Sequence, residues 1–307
     1  MKIREATHND IPQILKVLKA SLGETSSKKT EEVWRYKHID NPFGESLVLV
    51  AEEGGELVGV RAFMRWKWQK GEQLFSAFRA VDTATHPAHQ GKGIFKKLTL
   101  KALELGKERG DHFVFNTPNQ QSKPGYLKMG WEEVDKLEIQ LRPLNLFQIK
   151  TKKIEYITSG EEGSVTELLN DYFEQIKTSD RIFTPKDLQY IKWRYLNNPL
   201  QKYVIIFDKE YFIAGYVKKR KRFNEFRVSE AIVSNAGIKS AKAKILQMAG
   251  SSGAKVLSIS PNCDINFKTA VTGKFGPILT YKPVSLNQSK FLKLKSWAYS
   301  LGDLELF

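Results

Sequence analysis

The chain has 307 residues, enough for two domains of about 150, with 41% hydrophobic and 27% charged residues, as in a soluble globular protein. No apolar run approaches the ~20 residues of a membrane span, the start MKIREATHND lacks the apolar core of a secretory signal, and the single cysteine, Cys263, excludes an internal disulfide and a cysteine-based metal site; together these favour a cytoplasmic protein. The net charge of +15 is uneven: residues 1–150 hold 24 Lys+Arg against 19 Asp+Glu, residues 151–307 hold 25 against 15, and the basic second half suits an acidic partner such as a phosphorylated cofactor, a nucleic acid or an acidic carrier protein.

The stretch IREATHNDIPQILKVLKASL reads as a strand and an amphipathic helix, with Asp10 as N-cap and Ile11, Ile14, Leu15 and Leu18 on one face. After the polar GETSSKKT, SLVLVAEEGGELVGVRAFMRWKW reads as a hairpin turning at Gly54-Gly55. Within it Phe63, Arg65 and Lys67 share one strand face and Met64, Trp66 and Trp68 the other, and either face suits an acceptor cleft or an interface. The chain turns again at Lys70-Gly71 into a third strand, QLFSAFRAVDTAT, which leads into HPAHQGKGIF. A helix follows, with Phe95, Leu98, Ala102 and Leu105 on one face and Gly110 as its stop. HFVFNTPN is a buried strand broken by Pro118, and GYLKMGWEEVDKLEIQLRP a helical turn, a glycine and a final strand. The predicted order is β-α-β-β-β-loop-α-β-α-β.

The second half repeats that order with matching residues in the same sequence: WRYKHIDNP at Trp34–Pro42 with WRYLNNP at Trp193–Pro199, LVGV at Leu57–Val60 with IAGY at Ile213–Tyr216, FVFNTPN ending at Asn119 with VLSISPN ending at Asn262, and QLRPL at Gln140–Leu144 with TYKPV at Thr280–Val284. This reads as a duplicated domain. Gly59 to Pro118 spans 59 residues but Gly215 to Pro261 only 46, and the missing segment is the one that carries the glycine loop in the first copy. KKRKR at Lys218–Arg222 reads as a solvated hairpin tip.

A strand, then Gln90-Gly91-Lys92-Gly93, then a helix start, forms a phosphate cradle, because the first amides of a helix are unpaired and its N-terminus is positive. The nucleotide loop GxxxxGK[ST] is absent, and the dinucleotide pattern GxGxxG fails at Lys96. Gln90-Gly91-Lys92-Gly93-Ile94-Phe95 resembles the acyl-CoA signature Gln-x-x-Gly-x-[Gly/Ala] of the GNAT superfamily of N-acyltransferases, with Phe95 in place of the small sixth residue. YLKMGW at Tyr126–Trp131 is similar to the family's Tyr-x-Lys-x-Gly-Phe segment. The resemblance covers residues 1–143, and the second half looks like a copy without the loop.

The resemblance implies an α+β fold of two GNAT-like domains, each a mixed, mostly antiparallel sheet flanked by helices, at 1–148 and, degenerate, at 149–307. It implies an N-acyltransferase that passes acetyl from acetyl-CoA to a primary amine of a small molecule or peptide by direct attack, with no metal. The backbone of Gln90, Gly91, Lys92, Gly93, Ile94 and Phe95 would hold the pyrophosphate, strand amides near Val81, Asp82 and Thr83 would pair with the pantetheine, and Asn119 would position the cofactor or make a turn. Tyr126 matches the usual general acid, although a packed helix tyrosine reads the same. Asp82 is the candidate base, or a structural acceptor, with His86 at the strand end as another. The WRY motifs recur in the copy without a loop, which favours packing over acceptor binding. Two other functions are open: a transferase using an aminoacyl-tRNA or acyl-carrier donor, and a CoA-binding protein without turnover.

Overall fold

A computed structural model describes residues 1–23, 28–144, 162–263, 265–286 and 288–305, so the expected division at 148/149 lies outside the described residues. The first half runs β1 (Lys2–Glu5), α1 (Ile11–Leu22), α2 (Glu31–His38), β2 (Leu47–Glu53), β3 (Glu56–Lys70), β4 (Gln73–Thr85), α3 (Ile94–Glu108), β5 (Phe113–Asn116), α4 (Lys123–Lys128), β6 (Glu132–Lys136) and β7 (Ile139–Pro143). Gly54 and Gly55, at φ 64° and 84°, make the tight hairpin turn that only two left-handed residues allow. The expected order lacked α2, which Thr30 caps by accepting from the Val33 amide at 3.3 Å. Its apolar residues, Val33, Trp34 and Tyr36, give too short a period for a sequence pattern to show. Asp10 caps differently from expectation: its carboxylate accepts from the Thr7 amide at 2.7 Å and from Arg4, one turn ahead of α1. The buried stripe of α3 is Ile94, Leu98 and Ala102, with Phe95 only half-buried.

The second half adds α5 (Glu162–Lys177), β8 (Ile182–Phe183), α6 (Leu188–Ile191), β9 (Val204–Asp208), β10 (Tyr211–Lys219), β11 (Asn224–Val233), α7 (Ile238–Ser251), β12 (Val256–Ile259), β13 (Val271–Gly273), β14 (Ile278–Pro283), β15 (Trp297–Ala298) and α8 (Leu301–Leu304). Two mixed, mostly antiparallel sheets result, one running β1-β2-β3-β4-β5-β14-β6 and the other β13-β7-β12-β11-β10-β9. Within these paths the parallel pairs are β4 with β5 and, in the second sheet, β11 with β12. KKRKR spans the β10–β11 turn, where Arg220 Nε donates to Glu225 at 2.6 Å.

The single final strand expected after α4 is two strands in different sheets. β7 leaves the first sheet after Leu137 and Glu138 and inserts between β12 and β13. β14 makes the reverse crossing and inserts between β5 and β6. These are the two strands that the repeat equates, QLRPL and TYKPV. Each copy is completed by the last strand of the other.

A shared core lies between the sheets. Met64, Trp66 and Trp68 of β3 are fully buried, and Trp68 meets Trp297 edge-on at 4.8 Å. The two WRY motifs meet there too: Tyr36 stacks on Trp193 at 5.1 Å, and Trp193 Nε1 donates to the Tyr36 carbonyl at 2.8 Å. Aromatic side chains remove about 150–250 Å² each from water, which makes this cluster the main cohesive element between the copies. The opposite face of β3, with Arg61, Phe63 and Arg65, lies under α3 and α4.

Candidate active site

The glycine loop presents open backbone donors. His86 Nδ1 accepts from the Ala88 amide at 3.3 Å, so His86 caps the turn after β4. Gly91 and Gly93 follow at φ 79° and 72°, and Gly93 is the N-cap of α3. A Cβ at either glycine would meet nothing within 4 Å, so the loop backbone faces open space. The described hydrogen bonds engage none of the amides of Gly91, Lys92 and Gly93, and the first amides of α3 have no intrahelical acceptor. A pyrophosphate fits this set of donors and the helix dipole behind it. Lys92 is turned aside: Glu53 accepts from its Nζ at 3.4 Å and lies 2.9 Å from His89 Nδ1.

Beside the loop, β4 has a free edge. It pairs with β5 only from Ala77 to Arg79. Beyond that the strands part, and Asn116 is held instead by Thr280 of β14, whose hydroxyl donates to Asn116 Oδ1 at 2.6 Å. Val81 and Thr83 are half-buried along the free stretch. Between them Asp82 forms a bulge, an extra residue opposite Arg61 and Ala62, at φ 40°. A left-handed aspartate is strained by about 1–2 kcal/mol, a conformation that surrounding contacts must hold.

Those contacts come from α2. Lys37 Nζ pairs with Asp82 Oδ2, and His38 Nε2 lies 2.9 Å from the same oxygen. His38 Nδ1 lies 2.9 Å from Ser46 Oγ. Burial disfavours the Asp82 charge, but Lys37 and His38 outweigh it and hold the carboxyl below its usual range. Burial is also the main influence on His38 and lowers its pKa against the pull of Asp82, so the ring is neutral at pH 7. Hydrogen on Nε2, toward Asp82, leaves Nδ1 to accept from Ser46. Asp82 is therefore an anion already engaged, beside a neutral imidazole of assigned tautomer.

Tyr126 lies on α4 and is buried. Its hydroxyl accepts from Arg61 Nη1 at 2.7 Å, and its ring packs against Phe95 at 5.6 Å and Trp131 at 5.1 Å. Phe95 turns toward α4, away from the loop. A Cβ at Gly125 would lie 3.0 Å from the Phe95 ring, so the glycine makes the room. Asn119 Oδ1 accepts from the Ser122 amide and hydroxyl, both at 2.9 Å, which makes Asn119 the turn residue before α4. Sequence reasoning passed over Arg61, Lys37, His38, Ser46 and Asn116. Arg61 had a legible signal, a charge inside the buried run LVGVRAFM. Lys37 and His38 lay inside a motif read for its aromatics.

The corresponding parts of the second copy are closed. A Cβ at Gly237, the N-cap of α7, would lie 2.6 Å from the Glu210 carbonyl, so the β9–β10 turn covers that helix start. β11 pairs with β12 only from Glu225 to Arg227, but the chain itself occupies the gap beyond. Ser260 Oγ donates to the Tyr299 carbonyl at 2.6 Å, and Ser300 Oγ to Glu230 at 3.1 Å. Lys186 Nζ pairs with Glu230 at 2.7 Å and Asp303 at 3.3 Å. Cys263 is half-buried there, and its thiol donates to the Ser260 carbonyl at 2.9 Å. Among the described residues no helix is long and apolar enough to cross a membrane, and no group of His, Cys, Asp and Glu is placed to hold a metal ion.

Residues 2–134 match the family model described as an acetyltransferase (GNAT) domain. The L-methionine sulfoximine/L-methionine sulfone acetyltransferase of Salmonella typhimurium is 34% identical over 70 residues, 22% of this chain and 37% of that protein. The L-amino acid N-acyltransferase MnaT of Escherichia coli is 30% identical over 90 residues, 27% of this chain and 49% of that protein. The chain thus matches less than half the length of these relatives. The GCN5-related N-acetyltransferase from Anabaena variabilis shares the fold over 92% of this chain and 72% of its own, at TM-score 0.64 and 16% identity. A putative acetyltransferase from Pyrococcus horikoshii does so over 99% and 94%, at TM-score 0.55 and 15% identity.

Proposed function

We propose that the chain is an N-acyltransferase that takes acetyl from acetyl-CoA and passes it to a primary amine, a reading supported by the match of residues 2–134 to the GNAT acetyltransferase domain. The observation that carries this reading is the free β4 edge beyond Arg79, set beside the unpaired amides at the start of α3. The amides of Gly91–Phe95 bind the pyrophosphate, whereas the Gln90 amide is taken by the Pro87 carbonyl at 3.3 Å. The edge at Val81–Thr83 aligns the pantetheine arm, with Asn119 at the far wall. The thioester, when bound, supplies the activated acyl group. Tyr126 protonates the leaving sulfur.

Acceptor deprotonation falls to Asp82 acting with His38. The carboxylate holds the Nε2 tautomer, and the proton reaches Nδ1 through Ser46. The second copy completes the first sheet through β14 and binds no cofactor, since its helix start and strand gap are covered by its own chain. Its basic surface suits an acidic partner.

The test is calorimetry followed by a thiol-release assay. The amine panel opens on L-amino acids and L-methionine sulfoximine, because the two relatives named above act on these. One equivalent of acetyl-CoA per chain, with thiol released only when an amine is present, is expected. Two equivalents would show a second working site. Binding without turnover on any amine would leave a CoA-binding protein. Tight binding of tRNA or acyl-carrier protein with none of acetyl-CoA would replace the donor.

A further inference from the structure

Arg61 occupies the middle of β3, opposite Thr83, and its side chain is wholly buried. Nη1 donates to Tyr126 Oη at 2.7 Å and also contacts Thr83 Oγ1. Nε and Nη2 have no hydrogen-bond partner among the described residues, and no described carboxylate pairs with the guanidinium. Three ring faces surround it instead, Phe63 at 4.6 Å, Tyr126 at 5.2 Å and Phe95 at 5.7 Å. The nearest acid along β4, Asp82, is turned to the other face of the sheet and already paired with Lys37. A buried cation without an anion is costly, and ring faces return only part of that cost. An apolar residue would fill the same space more stably. The position makes physical sense if a negative charge arises beside it during the reaction.

We infer that Arg61 is a positioning residue that works through Tyr126; this rests on the reading of Tyr126 as the general acid. Two donors cannot share one hydrogen bond, so the Arg61 contact turns the phenol's own hydrogen away from the guanidinium and leaves it free for the sulfur. As the carbon–sulfur bond breaks, its electron pair stays on sulfur and Tyr126 gives sulfur its proton. The phenolate left behind keeps its contact with Arg61 until a proton from water restores the phenol, while the proton of the acceptor amine goes to His38. Of the side chains that hydrogen-bond to or stack on Tyr126, Arg61 from β3 is the charged one; Phe95 from α3 and Trp131 from the segment after α4 are neutral. A cation at this distance stabilises the negative charge that develops on the phenol oxygen as its proton leaves.

The experiment compares Arg61→Met, Arg61→Lys and Tyr126→Phe, alone and combined, by kcat and KM, with folding checked by circular dichroism. Arg61→Met is expected to lower kcat about 10- to 100-fold with little change in KM for acetyl-CoA. Arg61→Lys should restore the wild-type kcat in part. In the Tyr126→Phe background, Arg61→Met should cost little more. Should Arg61→Met not fold, Arg61→Gln carries the same comparison. If Tyr126→Phe slows turnover while loss of Arg61 charge leaves kcat unchanged, or adds its full effect in the double variant, the inference about Arg61 is overturned and the acid stands. If Tyr126→Phe leaves a chemistry-limited rate intact, the acid reading fails first and takes the inference with it.

Discussion

Asp82 sits on an unfavourable backbone, against α2, with a lysine and a histidine on one carboxylate oxygen. Such a residue couples stability to pH in a definite direction. Its pKa in the fold is below its ordinary value of 3.8, so its contribution is complete above that value and disappears as pH falls toward the lowered one. Asp82→Asn leaves Lys37 buried beside a neutral amide, at a cost of roughly 3 kcal/mol at pH 7. In urea titrations the gap between wild type and variant should be full at pH 5 and above and should narrow below about pH 4. A gap independent of pH would mean that the Asp82 charge is not what the variant removes.

At the scale of elements, α3 and the loop ahead of it divide their work. The Ile94-Leu98-Ala102 stripe anchors the helix on the sheet, and Gly59 allows the approach: a Cβ there would lie 2.6 Å from Ile94 Cγ2. The loop carries no packing of its own at Gly91 or Gly93, where a side chain would project into empty space. Gly93→Val is therefore expected to spare the fold apart from about 1–2 kcal/mol of left-handed strain and to abolish acetyl-CoA affinity. Its β-branched side chain would fill the cradle. Thermal unfolding with and without acetyl-CoA separates the two effects: a modest fall in Tm, and no rise on adding the ligand. An undiminished ligand shift would move the pyrophosphate site elsewhere.

For the whole molecule the exchanged strands matter most. β14 lies between β5 and β6, and Leu279 and Tyr281 on it are fully buried. A chain ending at residue 150 has no strand for that slot, and it exposes Trp66 and Trp68, which Tyr190, Trp193 and Trp297 cover in the full chain. Residues 1–150 alone are expected to aggregate or remain unfolded by circular dichroism, and to release no thiol. Full activity from that fragment would show that β14 is dispensable. The duplication thus gives the second copy a structural part in the first copy's site: Thr280 holds Asn116 at the point where β4 and β5 separate.

What was legible in the chain was local. The hairpin at Gly54-Gly55, the glycine loop, the tyrosine after it and the internal repeat all rest on near neighbours in sequence, where turn chemistry and periodicity act directly. α2 escaped because its helical pattern is only eight residues long and Tyr36 on it is covered by Trp193 of the other copy. The partners of Asp82 escaped because Lys37 and His38 lie about forty residues away on another element, and a bulge decides which way Asp82 faces. Arg61 and Tyr126 are sixty-five positions apart and meet only when α4 packs over β3. The strand exchange could not be read at all. QLRPL and TYKPV have similar alternation and the same proline, so either strand fits either slot, and the choice lies in how the two sheets pack around one aromatic core.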